Sequence, residues 1–592
     1  MLLSTIDLLI IFVFLLISLM IGIYSSRSAG KSSDEYFKGG GKMSWWLLGI
    51  SMVATTFSTD TPNLVADIVR KHGVSGNWVW WNFLLTGMLT VFFFARLWKR
   101  TDILTDIEFY EMRYSGKIAA FLRGFRAIYL GFFFNVMIIA IVSLAAIKIS
   151  SVLLGLTPVE TLLIAGVVTV VYSAIGGLKG VILTDAIQFI LSIAGAVIAA
   201  FVALSHPEVG GMDNLLKNTA VSERLNIIPD ISNPELFLTI FLVPLFIQWW
   251  AVWYPGSEPG GGGYMVQRML SAKNEEHSVR SVLLFNIVHY ALRPWPWIVV
   301  ALCSIVVFPN LEALKTAFPE SASIIGDDMA YPAMLSFLPE GAMGLVVTSL
   351  LAAYMSTLST HLNWGSSYLV NDVYARFIDP KSSNKKQVQI GRISTLLIMI
   401  AGGIMAILLN NALQGFQILL QIGAGTGLLF ILRWYWWRIN AATELVAMIV
   451  SFLVALYFAF IHESLLHLPA LESWQQLIIG VSITTVCWII TAYVSPETDR
   501  ETLIKFVKKV NPGGSGWTPI LKTLSATDRA GIIPKPINFP AALASMSIGT
   551  TGIYSLMIGI GKLLLGSPIW GTILLAIAAT CLLILLQLRK KL

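Results

Sequence analysis

Charged side chains are scarce in this chain. Asp, Glu, Lys and Arg make up 12% of its 592 residues, about half the share of an ordinary soluble domain. That excludes a soluble enzyme or a string of soluble modules, each of which would need a solvated surface. Cysteine is scarcer still. Cys303, Cys487 and Cys581 fall in apolar runs without paired spacing, so neither a disulfide framework nor a zinc site is expected. Residues 205–233, 309–340 and 495–543 form polar stretches, none of them large enough for a catalytic domain. Histidine numbers seven, mostly in stretches that read as loops, and His361 beside Ser356 and Ser359 is the one pairing that suggests a nucleophile and base. No enzyme activity is expected.

What fills the chain instead is apolar: 56% hydrophobic residues and a mean hydropathy of +0.75. Crossing a bilayer takes roughly 20 apolar residues, and about fifteen runs of that kind can be counted, among them runs starting near residues 158, 181 and 413. The expected fold class is an all-α polytopic membrane protein, with the lipid bilayer as its first partner. The opening run, "MLLSTIDLLIIFVFLLISLMIGIYSS", has no basic leader or small-residue cleavage site and is read as a retained helix. The net charge of +7 reflects a positive-inside bias, with no nucleic-acid partner expected. With the N-terminus outside and the C-terminus cytoplasmic, most of the 40 Lys and Arg fall in cytoplasmic segments. Arg70, Lys71, Lys217, Arg224, Lys315 and Lys562 are the outer exceptions, while Lys148 and Arg293 lie within apolar runs. The expected location is a plasma or inner membrane.

Three apolar runs carry polar interruptions. In "SWWLLGISMVATTFSTDTPNLVADIV" (44–69), Thr55, Thr56, Ser58, Thr59, Asp60 and Thr61 crowd ahead of Pro62. Polar groups at mid-membrane are costly unless they face a cavity or an ion path. Pro62 removes a backbone donor, so nearby carbonyls lose helical partners and become available to a cation. A Ser/Thr packing seam would need fewer such groups. In "SLLAAYMSTLSTHLNWGSSYLVNDVY" (349–374), Ser356, Thr357, Ser359, Thr360 and Asn363 add oxygens of the kind a hard monovalent cation prefers. In "GGLKGVILTDAIQ" (176–188), Asp185 stands in an otherwise apolar helix.

Those stretches, with "YFKGGGKMSWWLLGISMVATTFS" and "YMVQRMLSAK", resemble the sodium:solute symporter family in order and spacing over roughly residues 5–440. The resemblance implies a leucine-transporter-like core of two inverted five-helix repeats with discontinuous helices. They are placed at 44–204 and 234–433, after an extra helix and loop (1–43). An outer loop (205–233) separates them, and added helices (434–592) with a cytoplasmic loop (495–543) follow. It implies sodium-coupled symport by alternating access through a monomeric unit, with one or two sodium ions. Carried over residue by residue, the main sodium site falls on the carbonyls of Ala54, Phe57 and Ala353 and the hydroxyls of Ser356 and Thr357. Asp185 marks a second sodium site.

For the substrate, the hydrogen-bonding groups used by the family's sugar carriers are replaced here by Thr61, Trp80 and Ala251. Candidate contacts are Thr56, Asp60, Thr61, Trp80, Asn82, Tyr254, Glu258, Arg293, Gln417 and Gln421. Aromatic density at Trp78, Trp80, Trp81, Trp249, Trp250 and Trp253 favours stacking on a sugar or sugar derivative; for the first three an interfacial belt is the competing reading. Arg293 keeps a carboxylate substrate open, Asp60 and Glu258 an amino acid, and a sodium-independent facilitator is the remaining alternative. The segment "YPGSEPGGGG" (254–263) cannot be helical and is read as a break or gate lining a cavity, with Arg293 a possible partner of Glu258.

Overall fold

The computed structural model describes residues 3–254, 256–319, 325–409 and 423–588. Among them, twelve helices are long and apolar enough to cross a membrane. Named in chain order with the shorter elements used below, they begin with α1 (Thr5–Ala29), α2 (Trp45–Thr56), α3 (Asp60–His72) and α4 (Val74–Thr101). There follow α5 (Gly116–Ser151), α6 (Pro158–Leu204), α7 (Pro234–Ala251), α8 (Gly263–Ser271), α9 (Glu275–Val307), α10 (Ala342–Ile378) and α11 (Asn384–Leu408). The chain ends with α12 (Gly427–Tyr435), α13 (Ala441–Ile461), α14 (Ser473–Val494), α15 (Phe539–Leu564) and α16 (Pro568–Leu588).

Helix α6 is 47 residues long, about 70 Å at 1.5 Å per residue, twice what a bilayer core needs. It is two spans joined at Gly177, whose φ of 57° and ψ of −165° interrupt the helical path. A Cβ there would lie 2.7 Å from the Tyr36 carbonyl oxygen, so both the turn and the close approach require glycine. The runs expected near 158 and 181 are these two halves. The run expected near 413 lies partly outside the described residues, with α12 as its visible end.

Two membrane-depth helices are broken. Helix α2 stops at Phe57 (φ −88°, ψ 80°), and the chain restarts as α3 three residues later with Pro62 in its first turn. On the other side of the core, α7 ends at Ala251, and the described residues between it and α8 are non-helical. Val252 pairs there with Ala424 in an isolated antiparallel bridge, and the Trp253 N–H donates to the Gly423 carbonyl at 3.0 Å. Backbone groups freed by the break are thus satisfied by another irregular strand, as a low-dielectric interior demands.

The helices sort by environment. Isoleucine, leucine and phenylalanine on α1, α11, α14 and α16 remain exposed, among them Leu9, Phe12, Ile404, Ile490 and Leu583; this is the surface that lipid covers. The interior is aromatic: Trp81, Trp98, Trp297, Trp364, Trp434 and Trp488 are fully buried. Helix α10 lies against α6 in the middle of this interior, which brings its Ser/Thr-rich stretch up to the break between α2 and α3.

Candidate functional site

The break, α10 and α6 build a cluster of oxygens. The Thr357 hydroxyl donates to the Thr55 carbonyl at 2.8 Å and to the Ala353 carbonyl at 3.1 Å. Ser356 donates to one oxygen of Asp185 at 2.6 Å, and Ser51 to the other at 2.5 Å. Thr55 and Thr360 hydroxyls meet at 2.9 Å. Ala54, Phe57, Ala353, Ser356, Thr357 and Asp185 are all buried. Residues 54–57, 353–357 and 185 therefore converge on one region from three helices. Hydroxyls and helix-end carbonyls with little net charge suit a hard monovalent cation.

One member of this region had no counterpart among the expected residues. Arg268 of α8 is fully buried. Its guanidinium donates to Thr360 Oγ1 at 2.6 Å, Gln267 Oε1 at 3.0 Å and Ser51 Oγ at 3.2 Å, and stands 3.7 Å from Asp185. Asp185 is therefore matched by a cation supplied from within the chain. The available signal was an arginine inside "YMVQRMLSAK", which charge counting assigned to a solvated loop.

Alongside the cluster runs a cavity of about 680 Å³, within the span of about 300–1,000 Å³ usual for small-molecule sites. It begins at Thr55, Thr56, Thr357 and His361 and extends to Asp67, Lys71, Lys148, Asp327 and Asp328. Thr56, Asp60, Thr61, Trp80, Tyr254 and Arg293 line it. The Trp80 ring stacks on Tyr290 (6.1 Å, 26°) and the Tyr254 ring on Phe83 (6.1 Å, 17°), so flat apolar faces border the polar wall. Arg293 caps the broken helix: its Nη1 donates to the Thr56 carbonyl at 2.5 Å and the Thr56 hydroxyl at 2.9 Å. A cation at the C-terminal end of α2 meets the negative end of the helix dipole. Its Nε is buried and has no hydrogen-bond partner among the described residues.

At the far end two ion pairs tie α3 and α5 to residues 327–328, and a third lies within α3. Arg70 meets Asp327 at 2.7 Å, Lys148 meets Asp328 at 3.1 Å and Lys71 meets Asp67 at 2.7 Å. Lys148, which the sequence leaves stranded in an apolar run, is thereby paired.

Several expected contacts fall elsewhere. Asn82 donates to the Trp78 and Val79 carbonyls of its own helix, at 3.0 and 2.9 Å, and lies off the cavity wall. Glu258 lies behind the wall in a separate small chamber, not beside Arg293. Gln417 and Gln421 lie outside the described residues. Trp78 and Trp81 are core residues, 4% and 0% exposed, not an interfacial belt: Trp78 packs edge-on against Phe241, and its Nε1 donates to the Ile227 carbonyl. His289 packs beside Tyr290 and shares a 2.9 Å hydrogen bond with Thr56 at the cavity. His361 pairs with Asn135 at 2.6 Å rather than with Ser356 or Ser359.

Two discontinuous helices around a mid-membrane cavity define a secondary transporter. The sodium:solute symporter family model matches residues 36–451, and the chain belongs to that family of sodium-coupled carriers. It is 24% identical to the sodium/glucose cotransporter of Vibrio parahaemolyticus over 492 residues, 78% of this chain and 87% of that one. It is 26% identical to the sodium/sialic acid symporter SiaT of Proteus mirabilis over 475 residues, 76% of this chain and 88% of that one. A solved structure of a substrate-bound, outward-open Na+-coupled sialic acid symporter superposes with a TM-score of 0.67 at 20% identity, covering 84% of this chain and 99% of that one. The fold is thus the leucine-transporter-like one expected from the sequence.

Proposed function

We propose that this carrier imports a sugar or sugar derivative, one bearing a carboxylate being favoured, by alternating access. The observation that carries the reading is the cavity itself, which joins aromatic faces (Trp80, Tyr254) to polar groups (Thr56, Asp60, Thr61) and to the cation Arg293. Aromatic rings stack on sugar faces, and a guanidinium is suited to a carboxylate. The sugar and sialic acid carriers among its relatives support the same class. Plain carboxylates are the second reading, favoured by Arg293 alone.

Sodium is read as binding at the carbonyls of Ala54, Phe57 and Ala353 and the hydroxyls of Ser356 and Thr357. An ion there ties the end of α2 to α10 and holds the broken helix in the form that lines the cavity. Asp185, already matched by Arg268, needs no second ion in this state. Moving one sodium charge through 100 mV supplies about 2.3 kcal/mol, about fiftyfold in accumulation. The repeats are placed at 44–204 and 234–433, and the Lys/Arg distribution supports an N-terminus outside and a C-terminus inside. The cavity's charged end is then its outer mouth. The chain is read as a carrier without catalytic activity, His361 being engaged by Asn135.

The test is thermal stabilisation of the purified carrier against a panel of neutral sugars, acidic sugars, organic acids and amino acids, in sodium and in potassium. A ligand that binds the folded state raises the midpoint by mass action. An acidic sugar that acts only with sodium is the expected hit. Stabilisation by organic acids or amino acids alone overturns the substrate class, and equal stabilisation in both salts overturns the coupled mechanism.

A further inference from the structure

Glu258 stands out among the buried acids of the chain. It is 3% exposed, and neither carboxylate oxygen makes a hydrogen bond of full geometry among the described residues, only the backbone N–H groups of Gly256 and of Glu258 itself bearing on it. Asp185 by contrast has Arg268, Ser51 and Ser356, and Asp372 has Arg123 and Thr105. Charges near Glu258 do not make up the deficit. The foremost is Asp106, another carboxylate, which is itself satisfied by the Gly263 N–H at 2.8 Å and the Tyr368 hydroxyl. Arg126 exerts a weaker influence and faces Glu444 at 3.7 Å. A bare carboxylate in such a setting is far costlier than a neutral polar group and has to be neutralised by something it binds.

The chamber beside it says what that is. Thr86, Thr90, Ser257 and Glu258 contribute to its walls, and its volume of about 20 Å³ admits a single water-sized occupant. Thr86 gives its hydroxyl proton to the Trp249 carbonyl and Thr90 to the Thr86 carbonyl, so both oxygens keep lone pairs. One carboxylate with several neutral oxygens is the donor set of a monovalent hard cation; a divalent ion would call for more carboxylates. Gly256 and Ser257 line both this chamber and the large cavity, so an occupant here is one wall away from the substrate.

We infer that Glu258, with Thr86, Thr90 and Ser257, forms a further sodium site that holds the 256–261 segment against α4. It rests on sodium-coupled transport by this family and is separate from the cluster around Ser356. An ion there fixes the backbone between Tyr254 on the cavity wall and the start of α8, so that sodium occupancy and the shape of the cavity change together.

Equilibrium binding of radiolabelled sodium to the full-length protein in nanodiscs tests this directly. Wild type should hold one equivalent more than Glu258→Gln, which is isosteric and removes a buried charge. Thr90→Val should weaken the same class of site by about tenfold or more, about 1.4 kcal/mol. Ser356→Ala should remove the other class. A Glu258→Gln protein that keeps the wild-type number and affinity of sodium sites overturns the proposal and leaves the carboxylate neutralised by a proton. Should that variant not fold, unchanged binding in Thr90→Val overturns it equally. A Ser356→Ala protein with unaltered binding, alongside a loss in Glu258→Gln, would sink the Ser356 reading and leave this one standing.

Discussion

Replacing Arg268 with methionine probes the least expected feature of the core. The guanidinium is fully buried and serves Thr360, Gln267, Ser51 and Asp185 at once. Methionine fills much of the same volume but leaves Asp185 with only its two serine donors. Removing one partner of a buried pair costs about 3–5 kcal/mol, because the remaining charge stays desolvated. The thermal midpoint in potassium should therefore fall by several degrees. Sodium should then act differently on the variant than on wild type. With the guanidinium gone, the freed carboxylate beside Ser356 becomes an attractive ligand, and sodium should restore part of the lost midpoint. Arg268→Met combined with Asp185→Asn should recover most of the stability in potassium and lose the extra sodium response. Differential scanning fluorimetry of the three proteins in each salt reads the whole cycle. A fall that is equal in both salts and unrelieved by Asp185→Asn would refute the argument that Arg268 stands in for a cation at this carboxylate.

Three further outcomes are expected. Thr357→Val is nearly isosteric but loses the 2.8 Å bond to the Thr55 carbonyl, and it should raise the sodium concentration for half-maximal stabilisation by about tenfold or more; an unchanged sodium titration would remove Thr357 from the site. Gly256→Ala puts a methyl group 2.0 Å from the Tyr264 hydroxyl at a φ of +81°. Overpacking and the left-handed backbone each cost about 1–3 kcal/mol, so the midpoint should drop and uptake into proteoliposomes should slow; wild-type behaviour in both would show that the segment yields easily. Arg70→Met strips the tip of α3 of Asp327 and of the Ser304 and Phe308 carbonyls, a buried loss of about 3–5 kcal/mol. Lys71→Met, from a pair whose lysine is 44% exposed, should cost about 1 kcal/mol or less, and equal midpoint losses in the two variants would contradict this ranking.

The broken helix at 54–62 was legible in the sequence because its cause is local. Hydroxyls crowded before Pro62 in an apolar run have no other stable place at membrane depth. The same holds for the oxygen-rich face of α10 and for the non-helical glycine segment after Tyr254. Side-chain direction was a different matter. Trp78, Trp80 and Trp81 are neighbours in sequence, yet the helix turns only Trp80 to the cavity and buries the other two in the core. Asn82, polar and close by, is consumed by carbonyls of its own helix. Glu258 and Arg293 have opposite charges and both face inward, but a wall of the cavity stands between them.

Composition and local pattern by themselves determined that this chain is a helical membrane protein, where its helices break, and which segments are rich in side-chain oxygens. These follow from the cost of exposing backbone and charge to lipid, which acts on each segment alone. The tertiary structure alone decided that Arg268 meets Asp185 and that Lys148 finds Asp328. It also decided that Glu258 makes no hydrogen bond of full geometry among the described residues. Pairing across a bundle depends on how helices distant in sequence rotate and pack, and no short-range periodicity records that.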